Sequence, residues 1–130
     1  MILLAYLLSA CATVAESLDS SSSDPQFPAY VYDSALSLKS YKLALQYAAV
    51  LFKIPCYCDC GRASGHQSLH DCFFKGDGFN DHASGCEVCG LEMVDVAQWT
   101  RDGKSLKQIR AMIDIKYAPY GHGTNTPAVE

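Results

Sequence analysis

Residues 84–117 read SGCEVCGLEMVDVAQWTRDGKSLKQIRAMIDIKY, and their periodicity decides the fold. Ser84-Gly85-Cys86-Glu87 fits a capping box that would open a helix running to about Arg101. Cys86, Cys89, Met93, Val96 and Thr100 then fall on one inward stripe at helical spacing. Ser105-Leu106-Lys107-Gln108 fits another capping box, and Leu106, Ile109, Ile113 and Tyr117 line the core face of the helix behind it. The link Asp102-Gly103-Lys104 is short, so the two helices are expected to lie antiparallel.

Two further helices are expected upstream. One covers roughly Ser34 to Leu51, with Leu36, Leu43, Tyr47, Val50 and Leu51 broadly on one side and Pro55 beyond its end. The other is short, Gly65 to Phe74, opened by a capping box at Ser64-Gly65-His66-Gln67. Lys75–Ala83 (KGDGFNDHA) reads as a glycine- and aspartate-rich loop; it lacks the spacing and terminal Glu of a calcium loop. The expected fold is all-α: about four helices, with cysteines on the loops near helix starts.

The chain has 130 residues, 49% hydrophobic and 18% charged, which suits one domain with a modest core. Its net charge is −4 and its basic residues are scattered, which argues against a nucleic-acid face.

Seven cysteines are the outstanding feature. Cys11 stands apart, closing the apolar run MILLAYLLSAC. That run is shorter than the roughly 20 apolar residues a membrane helix needs, so residues 1–10 read as a signal peptide. Leu8-Ser9-Ala10-Cys11 resembles a bacterial lipobox, which would place a lipid on Cys11 and anchor the chain to the outer face of a membrane. Residues 11–29, rich in serine, aspartate and proline, read as a tether. Residues 30–121 would form the cysteine-rich domain, and GHGTNTPAVE closes the chain, its residues 122–130 forming a loose tail with an idle His122.

The other six cysteines form two dense groups, PCYCDC at 55–60 and GCEVC at 85–89, with Cys72 between them. At the second position of its helix, Cys86 would sit in the positive field of the helix start, which lowers a thiol pKa. In PCYCDC, an i, i+2 disulfide is strained, so these thiols must look outward. Disulfides from this group to Cys72, Cys86 and Cys89 would staple an exported domain. Alternatively Cys56, Cys58, Cys60, Cys72, Cys86 and Cys89, with His66 and His82 as secondary candidates, would ligate a soft ion, copper(I) first and zinc second. His70, at i+4 from His66, and Met93 are weaker candidates. Sulfur separations discriminate: about 2 Å means bridges, about 3.5–4 Å a metal cage.

IPCYCDCG (54–61), HDC (70–72), HASGCEVC (82–89) and GKSLKQIRAMIDIKY (103–117) together resemble the bacterial PCYCGC-motif lipoproteins. The resemblance implies an exported, membrane-anchored domain and supplies no reaction. Asp59 stands where the family motif has glycine, which argues against a tight glycine-dependent turn there. Residues 86–121 bear a weaker likeness to the thiol-bearing helical domain of cytochrome c maturation proteins. Three functions therefore stand side by side. The preferred one is an extracytoplasmic lipoprotein that captures, delivers or buffers a thiophilic ion for a metal-accepting protein or membrane complex. The second is a thiol–disulfide or assembly factor with Cys86 attacking and Cys89 resolving. The third is a disulfide-stapled accessory subunit of a membrane redox complex. Outside the thiols, no nucleophile–base–orienter set is recognisable.

Overall fold

The computed structural model describes residues 25–130, so the expected signal peptide, Cys11 and most of the tether lie outside the described residues. The described chain is predominantly helical, with one two-stranded hairpin. Among the described residues no helix is long and apolar enough to cross a membrane.

Helix α1 (Ala35–Leu51) starts where expected, with the Ser34 hydroxyl accepting from Ser37 N at 3.0 Å. Its buried face differs from the expected stripe. Ser37, Ser40, Tyr41, Ala44 and Leu51 are buried, while Leu36, Leu43, Tyr47 and Val50 are only partly so. The reason is close packing. Small side chains let α1 lie against α4 (Glu87–Arg101), its main helical neighbour. Ser40 hides its hydroxyl by donating to Ser37 O at 2.9 Å. A kink at Tyr47 (φ −116°) interrupts the helix.

The expected second helix is much shorter. α2 (Cys60–Ala63) is one turn, Gly65 is left-handed (φ 73°), and α3 (Leu69–Phe73) starts only after Ser68. Gly65 carries the chain out of helical space, so Ser64-Gly65-His66-Gln67 caps nothing; Gln67 instead donates its amide to Gly65 O. The expected loop contains a small hairpin, β1 (Phe74–Lys75) against β2 (Gly78–Phe79), with Gly76 supplying the positive φ such a tight turn needs.

α4 ends at Asp102-Gly103, with Gly103 left-handed (φ 75°), and α5 (Leu106–Tyr117) packs back on it. The α5 capping box is present in full: Gln108 N donates to the Ser105 hydroxyl and Ser105 N to Gln108 Oε1. Ile109, Ile113 and Tyr117 face the core as expected. The capping box at the start of α4 is not formed. Cys86 itself is the N-cap, and Ser84 donates its hydroxyl to Asp81 O, tightening the preceding 3-10 turn at His82–Ser84.

Packing extends beyond the expected domain at both ends. Phe27 is buried against Tyr41 and Phe79, so the ordered fold begins before Tyr30. At the other end, Thr124 and Thr126 are buried.

Candidate metal centre

PCYCDC begins at Pro55, beyond the end of α1 at Leu51, and runs across the start of α4. Cys56 is tied on both backbone groups: its N–H donates to Thr124 Oγ1 and its carbonyl accepts from Thr124 N, both at 3.0 Å. Tyr57 N donates to Glu92 Oε1 at 2.8 Å, and the Tyr57 hydroxyl to Asp114 Oδ1 at 2.7 Å. Asp59 then turns the chain in a left-handed conformation (φ 61°, ψ 9°) and caps α2. It is the only non-glycine residue with positive φ among the described residues. The turn that glycine would make is therefore retained, contrary to expectation. The Asp59 carboxylate fixes it by accepting from His122 N at 3.0 Å, and the same contact holds its pKa below the usual carboxylate range.

This path brings the six thiols together. Cys56 Sγ lies 3.4 Å from both Cys58 and Cys89, Cys58 lies 3.5 Å from Cys89, and Cys60 lies 3.6 Å from Cys72. None is bonded to another. Bridges within PCYCDC or from it to Cys72, Cys86 and Cys89 are thus absent. Cys86, half-buried at the N-cap, sits against Cys58 and Cys89. His82 Nε2 approaches Cys58 at 3.4 Å and His66 Nδ1 approaches Cys72 at 3.5 Å. The two imidazoles meet edge to face at 4.8 Å.

The thiols polarise one another. Cys56 donates its S–H to Cys58, which raises the Cys56 pKa and lowers that of Cys58. Cys72 is pulled down, chiefly by Cys56, and Cys60 and Cys89 are raised. Cys86 does not gain the lowered pKa expected of a helix start; its contact with Cys58 pushes it up. Cys58 and Cys72 are therefore the members drawn toward thiolate, the ligand form.

His70 is stacked between Phe52 and Phe74, at 3.7 and 4.8 Å between ring centroids, and does not reach the sulfurs. Met93 is fully buried in the core. His66, His70, Asp71 and His82 share the wall of a cleft of about 530 Å³ that opens over the histidine side of the cluster.

Glu92 is a part of the site that was not anticipated. It is fully buried, with Oε1 on Tyr57 N and Oε2 without a hydrogen-bond partner. Burial raises its pKa well above the ordinary range. Its position, one turn after Cys89 on the inward face of α4, was the available signal.

Cys56, Cys58, Cys60 and Cys72 form one set whose ligand atoms all lie within 4.8 Å of one another; Cys58, Cys72, His82 and Cys89 form another; Cys60, His66, Cys72 and His82 form a third. A tetrahedral ion with sulfur at about 2.3 Å needs ligand–ligand edges of roughly 3.7 Å. The cluster can hold a metal ion.

Comparison with protein families finds a match over residues 1–129 to the model described as "Protein of unknown function with PCYCGC motif". No curated protein and no solved structure matches the chain.

Proposed function

The chain belongs to the PCYCGC-motif family, and from that premise and its thiol cluster we propose that it is an exported lipoprotein binding a thiophilic ion, copper(I) first and zinc(II) second. It captures, delivers or buffers the ion outside the cytoplasm, held to a bacterial membrane by a lipid on Cys11. The observation that carries this reading is the convergence of six unbonded thiols on two imidazoles. Crowded soft donors select soft ions, and crowded thiolates favour copper(I) over zinc. The cleft lined by His66, His70 and His82 offers a route for the ion between solvent and sulfur. The recipient would be a metal-accepting protein or a membrane complex docking at that cleft.

Elemental analysis and thiol titration of the anaerobically purified protein test the metal. Bound copper or zinc after loading, with thiols protected from alkylation, is expected; no metal, with three disulfides by mass, would sink the reading. For the anchor, lipid on Cys11 by mass spectrometry and release from membranes in Cys11→Ser are expected.

A thiol–disulfide role draws on half-buried Cys86 beside buried Cys89. The raised pKa of Cys86 works against it as the attacking group. A reduction potential in the range of thiol oxidoreductases would revive that role.

A further inference from the structure

Eight donor atoms converge on this cluster, six sulfurs and two ring nitrogens. One tetrahedral ion uses four. Had the chain evolved to hold a single ion, half of these donors would stand idle in a largely buried site. The ligand sets show how the surplus can be used. The set Cys56, Cys58, Cys60, Cys72 and the set Cys58, Cys72, His82, Cys89 overlap in Cys58 and Cys72. Both shared residues are thiols. A thiolate sulfur keeps lone pairs after binding one ion and can bind a second. A ring nitrogen has one lone pair and cannot, so the second and third sets, which share His82, cannot both fill through the same atom.

The contacts within the overlapping pair have the right scale. Cys56–Cys58 is 3.4 Å and Cys60–Cys72 is 3.6 Å in one set; Cys58–Cys89 is 3.5 Å and Cys58–His82 is 3.4 Å in the other. These approach the roughly 3.7 Å edges of a tetrahedral site, and Cys56 and Cys89, now 3.4 Å apart, must separate as two ions enter. The donors come from separate elements: PCYCDC, α3, the 3-10 turn before α4, and α4 itself.

We propose that the cluster takes two thiophilic ions at once, bridged by the Cys58 and Cys72 thiolates, with Cys56 and Cys60 completing one ion and His82 and Cys89 the other. This rests on the metal-binding reading. Each thiol that ligates gives up its proton to solvent as the ion enters, and no electron is transferred. Cys86 and His66 stand outside the pair of ions, Cys86 against Cys58 and Cys89, and His66 against Cys72.

The test is stoichiometry and coupling. The full chain, reduced and anaerobic, is loaded separately with zinc(II), cobalt(II) and copper(I), and ions per chain are counted by native mass spectrometry and elemental analysis. Two ions per chain are expected, bound together rather than in sequence, with a metal–metal vector in X-ray absorption and magnetic coupling in the dicobalt form. Cys58→Ser and Cys72→Ser should each bind at most one ion. Circular dichroism shows whether each variant folds, and the wild-type count stands without them. One ion per chain overturns the two-ion proposal and leaves metal binding standing. No ion overturns both. Two ions without a metal–metal vector or coupling overturn the bridge.

Discussion

Asp59 is the residue on which the turn of PCYCDC depends. A left-handed backbone disfavours any side chain with a Cβ, and aspartate tolerates it because its short carboxylate can bond nearby backbone. Here the backbone it bonds is distant in sequence, at His122. Asp59→Gly should therefore fold with little change in urea midpoint, while Asp59→Val, branched at Cβ and without an acceptor, should lower the midpoint clearly. Equal midpoints for the two would show that the turn is not under conformational strain. Glu92 makes a sharper case. Glu92→Leu removes the acceptor from the Tyr57 N–H, and an orphaned buried donor costs about 1–3 kcal/mol. Glu92→Gln keeps an acceptor and should lose much less. Urea unfolding of the metal-free, reduced protein compares the two.

At the scale of elements, the helices with regular apolar spacing could be read directly, because burial there follows the 3.6-residue period. α5 has that spacing and a full capping box, and both are present. α1 misled, because a face built for close approach carries serine and alanine where periodicity looks for leucine. The short helices of residues 60–73 were illegible for a different reason. Their ends are set by Gly65 and by tertiary bonds such as Leu69 N to Ile54 O, which no local pattern encodes. The α4–α5 pair carries its own pH dependence. Tyr117 is buried and donates to Asp95 at 2.7 Å, and burial first, then Asp95, raises its pKa. The folded state thus keeps a proton that the unfolded tyrosine loses near pH 10. Its stabilisation is complete below about pH 10 and declines as pH rises further. Tyr117→Phe should flatten that alkaline decline, read as thermal midpoint against pH from 8 to 11. An unchanged slope would exclude Tyr117 as its source.

At the scale of the molecule, the thiols were legible as a set and their enclosure was not. Cysteine spacing announced two groups that must meet. Nothing in GHGTNTPAVE announced that this segment closes over the first of them. Gly121 and Gly123 make the approach possible: a Cβ at Gly121 would come 2.6 Å from Tyr57 O, and one at Gly123 would come 3.0 Å from the Tyr57 ring. Thr124 then pairs with both backbone groups of Cys56 and also bonds Thr126, whose hydroxyl donates to Gln67 O. Arg110 holds the segment from α5, donating to Pro127 O at 3.0 Å.

The last ten residues therefore act as a strap that fixes the first thiol of PCYCDC in place, and their loss should be felt at the sulfurs rather than in the helices. Without them Cys56 keeps its side chain but loses two backbone hydrogen bonds, each worth about 1 kcal/mol. A chain ending at Tyr120 should retain its helical circular dichroism, unfold at a lower urea concentration by roughly 2–4 kcal/mol, and expose buried Cys56 and Cys60 to a thiol reagent many times faster. Gly121→Ala, which collides with the Tyr57 carbonyl without removing a single bond partner, should reproduce the faster thiol reaction in a full-length chain. If both variants react at the wild-type rate, the strap does not enclose the cluster, and the order of PCYCDC must come from contacts outside it, such as Tyr57 N to Glu92 and the Tyr57 hydroxyl to Asp114.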